Sequence, residues 1–237
     1  SPEEADHPDR DRFLLSAGHK CLAQYAALAE KGYFAKEVMD TYGALGSKIP
    51  GHPDMHKLPG VEANTGALGH GLSIAAGMAM AAKLERRRYK VYAICGDGEL
   101  PEGSNWEAAA AAAKFGLDNL VVFVDNNGLQ ISGQVTEVMN MEPIAGKFAA
   151  FGWAVAKIDG NDMEEIVKML DRLPIERGKP TLILCHTVKA KGLSFGENQA
   201  GYHFWNATEE LLRQAEEEME ARAEELRQEM EAVAYDG

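Results

Sequence analysis

Four short, almost uninterrupted apolar runs, each set apart from the next by helix-length sequence, constrain this chain more than any other feature. They are Lys90–Cys95 (KVYAIC), Leu120–Asp125 (LVVFVD), Ala154–Ile158 and Pro180–Thr187 (PTLILCHT). Strands exposed on one face alternate apolar with polar, whereas these are apolar nearly throughout and β-branched, as strands buried on both faces must be. Between them lie an Ala-rich helix at Trp106–Phe115 ended by Gly116, a helix at Ile144–Phe151, and a helix at Met163–Leu173 closed by Pro174. Alternating strand and helix predicts an α/β chain: a parallel sheet with helices on both faces. Such sheets bind ligands at the carboxyl ends of their strands, so the site is to be sought just after Cys95, Asp125 and Thr187.

The first fifty residues read as helix with turns, since Leu14, Leu15, Leu22, Tyr25 and Leu28 recur at roughly helical spacing and Gly32 follows as a stop. Residues 46–71 form a long Gly- and Pro-punctuated loop, of a length that in compact domains is usually functional. A helix rich in Ala and Met follows over Leu72–Arg87. Residues 209–233 predict a charged amphipathic helix, with Leu212, Ala215, Met219, Ala223, Leu226, Met230 and Val233 stepping by three or four. The formal net charge of −13, from 24 basic and 37 acidic residues, argues against nucleic acid or an anionic membrane as partner. Much of it belongs to the terminal helix, where ten acidic residues face three basic ones over 209–231. Cys21, Cys95 and Cys185 are far apart and form no CxxC, so neither a disulfide framework nor a zinc site is expected, and the compartment reads as reducing and cytoplasmic. No apolar stretch reaches the roughly 18 residues of a membrane span. No signal peptide is recognised in the polar, Met-less opening Ser1-Pro2-Glu3-Glu4-Ala5-Asp6, which reads as the start of a piece of a longer chain.

Two strand ends carry the chemistry. The run ending at Cys95 passes into Gly96-Asp97-Gly98-Glu99, and the run ending at Asp125 passes into Asn126-Asn127-Gly128. One acidic Gly turn is ordinarily just a tight turn. Two of them at neighbouring strand ends place a carboxylate (Asp97) beside an amide oxygen (Asn127). Both are hard ligands suited to Mg2+, which takes few protein carboxylates and completes its shell with phosphate oxygens. Gly96 and Gly98 let the backbone approach an anion closely. The pair describes a divalent cation joining a diphosphate to the protein.

GDG followed about thirty residues later by NN resembles the thiamine-diphosphate motif, and Glu99-Leu100-Pro101-Glu102-Gly103-Ser104-Asn105-Trp106-Glu107-Ala108 resembles its transketolase form. Further segments resemble the same family in order: Asp11-Arg12-Phe13 with Leu15-Ser16-Ala17-Gly18-His19, Pro50-Gly51-His52-Pro53, Thr65-Gly66-Ala67-Leu68-Gly69-His70-Gly71, and Lys189-Ala190-Lys191-Gly192 with Tyr202-His203. The resemblance runs to about residue 208 and implies the thiamine-diphosphate-binding fold, with residues 1–208 as the cofactor-diphosphate domain and 209–237 as the appended helix. It implies that Asp97, Asn127 and the Leu129 carbonyl hold Mg2+ (Ca2+ or Mn2+ substituting). It further implies that Gly96, Gly98 and Glu99 line the diphosphate, that Ile131 packs on the thiazolium, and that Gly66 and Leu68 meet the aminopyrimidine through their backbones. His19 and His203 would contact diphosphate and substrate hydroxyls, and His52 would hold the substrate near its carbonyl. Glu102 and Glu107 would sit at a subunit interface between paired cofactors.

Each of these residues also has a plainer reading. His7, His56 and His186 lack a matched context and read as structural or exposed; Glu102 and Glu107 suit a helix N-terminus; Lys189 and Lys191 read equally well as solvated or as phosphate-neutralising. His70 departs from the family's Gln. The family's SGHxG segment is absent, so residues are expected to precede Ser1. Its pyrimidine-binding and C-terminal domains are absent too. The resemblance therefore implies the N-terminal subunit of a split, two-chain transketolase. It would work as a heterotetramer with a C-terminal subunit, moving a two-carbon ketol unit between sugars or sugar phosphates. The alternatives are a 1-deoxyxylulose-5-phosphate-synthase-like enzyme, disfavoured by the transketolase-type histidines, and a non-catalytic cofactor-binding or assembly subunit, disfavoured by the intact Asp97, Asn127, His19, His52 and His203.

Overall fold

The computed structural model describes residues 2–235, with side chains as far as residue 231. In chain order the strands are β1 (Arg12–Leu15), β2 (Val91–Gly96), β3 (Leu120–Asn126), β4 (Leu129–Gln130), β5 (Gly133–Gln134), β6 (Ala154–Asp159) and β7 (Thr181–His186). The helices are α1 (Cys21–Glu30), α2 (His70–Leu84), α3 (Gly103–Lys114), α4 (Val135–Val138), α5 (Ile144–Ala150), α6 (Met163–Asp171) and α7 (Glu209–Tyr235). Five strands pair in parallel in the order β1-β2-β3-β7-β6; β4 and β5 form a separate antiparallel hairpin.

The apolar runs become the central strands because both of their faces are covered. On one face Val91, Ala93, Cys95, Leu120, Val122, Val124, Leu182 and Leu184 pack against α2, α3 and α5. Ala75, Ala79 and Ala82 of α2 and Ala108, Ala109 and Ala112 of α3 are buried in that layer, and side chains this small let two helices approach each other and the sheet. Trp153 closes the layer beside Phe148, its indole N–H donating to the Ala109 carbonyl at 2.8 Å. The other face carries Val121, Ile158, Ile183 and Cys185 under Met169 of α6. A third cluster, Cys21, Tyr25, Ile49, Leu58 and Val61, fastens the long loop against α1.

Two expectations fail locally. Leu14 and Leu15 lie on β1, not on a helix, and pair with Ala93 and Ile94 of β2. The helical spacing breaks at Ser16-Ala17-Gly18, and the α-helix there is Cys21–Glu30, led in by a 3-10 turn at Gly18–Lys20. The helix expected over Leu72–Arg87 is α2, which begins at His70 and stops at Leu84, before Arg86 turns to φ 58°. Along α7 only Ala215 of the apolar stripe is buried; Leu212, Met219, Leu226 and Met230 are exposed, and the side chain of Val233 lies outside the described residues. The three cysteines are free and buried. Among the described residues no helix is long and apolar enough to cross a membrane.

Candidate active site

Register gathers the site. Gly96 pairs with Asp125, Asp125 with Cys185 and Asn126 with His186, so the turns after β2, β3 and β7 emerge at one sheet edge. The His19 turn follows β1 at the same edge, Ser16 N–H donating to the Ile94 carbonyl.

Asp97 is 2% exposed and joins the two acidic turns: Oδ1 accepts from Gly98 N–H at 2.8 Å and Oδ2 from Gly128 N–H at 2.7 Å. Burial lifts its carboxyl above the usual range, against the pull of those two backbone donors. Asn127 Oδ1 accepts from Leu129 N–H at 2.9 Å, and its Nδ2 donates to Asp125 Oδ2 at 3.2 Å. Asp125 also receives the Lys20 ammonium and the Thr187 hydroxyl. Burial opposes ionisation of Asp125, but Lys20 and the hydrogen bonds from Thr187 and Asn127 outweigh it and hold the carboxyl below its ordinary value. No trio of His, Cys, Asp or Glu able to hold a metal occurs among the described residues. A cation between these turns would draw on Asp97, the Asn127 amide oxygen and backbone carbonyls, with phosphate oxygens completing its shell.

Glu99, expected to line the cofactor, has a buried side chain that ties several turns together. Its Oε1 accepts from Ser16 Oγ and from Gly69 N–H at 2.9 Å, and its Oε2 from Gly96 N–H at 3.1 Å. Those donors come from the ends of β1 and β2 and the start of α2, so Glu99 fixes the spacing of three elements.

The three expected histidines converge. The His19 and His203 rings are 5.0 Å apart between centroids, and His52 lies within electrostatic reach of His19. Close backbone approach allows this. A Cβ on Gly18 would meet the Thr65 and Gly66 backbone at 2.8 Å, and one on Gly66, whose φ is +142°, would meet the His52 ring at 2.7 Å. His19 is exposed as a residue, yet its ring loses part of its water to its neighbours. That desolvation, with His203, Lys20, His52 and Lys189 around it, lowers its pKa to about 4. His203 is lowered in the same way by desolvation and the two lysines. Both imidazoles are therefore neutral near pH 7.

Three polar side-chain atoms in these segments are shielded from solvent and lack a partner among the described residues: His203 Nδ1, Thr65 Oγ1 and Gln130 Oε1. A Cβ on Gly98 would come within 3.0 Å of Gln130, so the glycine keeps that gap open. Buried polar atoms of this kind take their partners from ligand or water, and the donor set, with its oxygens, imidazoles and two lysines, fits a metal-bridged diphosphate. Ile131 is exposed near the tip of the β4–β5 hairpin and Leu68 is half-buried. His70 Nδ1 lies 3.2 Å from both the Ala67 and Leu68 carbonyls, so the residue that departs from the family's Gln caps its own turn. Glu102 and Glu107 are exposed at the start of α3. Lys20 and Gln130 carry no signal of their own in the sequence, and Asp125 and Thr187 are marked there only as strand ends; strand register and turn geometry bring the four in.

Residues 1–229 match the family described as transketolase, thiamine diphosphate binding domain, and the chain belongs to it. It is 45% identical over 228 residues to an apulose-4-phosphate transketolase subunit of Phocaeicola vulgatus, covering 96% of this chain and 81% of that protein. It is 43% identical over 219 residues to a 6-deoxy-6-sulfo-D-fructose transketolase subunit of a Clostridium species, covering 92% of this chain and 80% of that one. The crystal structure of transketolase from Campylobacter jejuni superposes with a TM-score of 0.84 at 36% identity, over 92% of this chain but only 35% of its own. The chain thus spans about a third of the length of that transketolase chain.

Proposed function

We propose that this chain is the cofactor-diphosphate-binding subunit of a split transketolase, transferring a two-carbon ketol unit from a ketose or ketose phosphate to an aldose acceptor. The observation that carries the reading is the convergence of His19, His52 and His203 on the sheet edge where the turns of Asp97 and Asn127 meet. In support, two relatives that match most of this chain are named as transketolase subunits.

Thiamine diphosphate, when bound, supplies the nucleophilic carbon and electron sink that carbon–carbon cleavage beside a ketose carbonyl requires. Asp97, Asn127 and the Leu129 carbonyl would hold its Mg2+. Gly96 and Gly98 would present backbone to the diphosphate, with Glu99 fixing those turns from behind. Gly66 and Leu68 would face the aminopyrimidine and Ile131 the thiazolium. His19 and His203 hold unprotonated ring nitrogens at neutral pH, ready to accept a proton from a sugar hydroxyl and return it, and His52 stands beside them to orient the substrate. Such groups each contribute about 10²–10⁴-fold to rate. Glu107 borders an exposed apolar groove between α2 and α3, and Glu102 precedes the first residue of α3; the two would sit at an interface between two copies of this chain. Two such copies with two pyrimidine-binding subunits would make a cytoplasmic α2β2 enzyme.

The test mixes this chain with the subunit encoded beside it, thiamine diphosphate and Mg2+, and assays ketol transfer. Activity is expected only in the mixture. Transfer by the isolated chain would sink the split-subunit reading. Cofactor binding without transfer from any ketose donor would favour the non-catalytic alternative.

A further inference from the structure

We propose that Lys20 is a direct ligand of the cofactor's diphosphate, holding a fixed positive charge over the first glycine of the GDG turn; this rests on the cofactor reading above. The Lys20 ammonium lies 3.6 Å from where a Cβ of Gly96 would stand, at the point where that turn leaves the sheet. It reaches there from beside His19 and pairs with Asp125 across the tops of β2 and β3. Asp125 is fixed in turn by Thr187 and Asn127, so the lysine is anchored and loses little freedom on meeting an anion. An ammonium has three N–H donors, and one hydrogen bond, to Asp125, is made among the described residues. Lys189 is half-buried nearby without an ion pair among the described residues, and its pKa is lowered by desolvation and then by Lys20. Asp125 and Asp97 act on the Lys189 ammonium in the opposite sense; with Asp97 engaged by the cofactor's cation, the two lysines would share one carboxylate, Asp125, and the site would be short of negative charge. A diphosphate supplies it.

The plainer account is that Lys20 merely neutralises Asp125. The two separate in a double-mutant cycle. Thiamine diphosphate affinity is measured by titration calorimetry on the reconstituted two-subunit protein at fixed Mg2+, with thiamine monophosphate as comparison. Lys20→Met should weaken thiamine diphosphate on the order of 10- to 100-fold, the worth of a hydrogen bond to a charged group. It should weaken the monophosphate less, and Lys20→Arg should restore most of the loss. The decisive variant combines Lys20→Met with Asp125→Asn, which removes both charges of the pair together. It should bind the diphosphate as weakly as Lys20→Met. If instead it binds as tightly as Asp125→Asn alone, or if Lys20→Met binds like the wild type, Lys20 is only a partner for Asp125 and the proposal falls. A wild-type protein that binds no thiamine diphosphate would overturn the cofactor reading and this one together.

Discussion

At the scale of single residues, Asp97 does two jobs with one carboxylate. It accepts the Gly98 and Gly128 N–H groups, which locks the two turns together, and each oxygen keeps a lone pair for a cation. Asp97→Ala should therefore abolish Mg2+-dependent thiamine diphosphate binding; calorimetric affinity equal to wild type would refute the metal assignment. His19 gives a pH prediction with a definite sign. Its pKa near 4 is below the ordinary 6.5, so between these values the unfolded chain takes up a proton that the folded chain refuses. Stability from this group is complete above about pH 6.5 and is lost as pH falls towards 4. An NMR titration of the His19 ring should place its midpoint near 4, and a midpoint near 6.5 would show that the crowding does not perturb it. The site was partly legible in sequence at this scale. Asp97, Asn127 and the histidines sit in motifs whose chemistry is local. Lys20 and Asp125 are 105 positions apart, and no spacing rule joins them.

Elements were legible in proportion to how much of their burial pattern is continuous. β2, β3 and β7 announce themselves because each is apolar for four or five consecutive residues and covered on both faces. β1 has four residues, of which only Leu14 and Leu15 are buried, and its pairing with β2 is a long-range fact. The β4–β5 hairpin has two residues per strand, below any periodicity. Helix α6 shows a local signal working. Asp162 caps it, its carboxylate accepting from Glu164 N–H at 2.8 Å and Glu165 N–H at 3.3 Å. Asp162→Ala should cost about 1 kcal/mol in urea unfolding. It should leave cofactor affinity unchanged, because α6 packs beneath the sheet face away from α2 and α3. A change in affinity would mean that this face is coupled to the site.

The whole molecule presents apolar surface that a chain acting alone does not need. The α7 stripe is largely exposed, and a groove of about 380 Å³ between α2 and α3 is lined by Ala76, Gly77, Met80, Ala111 and Phe115, with Glu107 at its margin. On the reading proposed above, this groove is the surface that a second copy of the chain would cover. Gly77 offers a clean probe because a Cβ there would meet nothing within 4 Å, so a side chain costs no packing within this chain. Replacing a mid-helix glycine should even stabilise α2 by up to about 1 kcal/mol. Gly77→Arg should therefore leave the thermal midpoint of the separate chain unchanged or raised. In the assembled protein it would drive a charged, bulky group into the α2–α3 contact. Sedimentation should then show the loss of the species containing two copies of this chain, with ketol transfer falling in parallel. If the variant assembles and turns over like wild type, the groove between α2 and α3 is not the interface, and Glu102 and Glu107 revert to ordinary acids at the start of a helix.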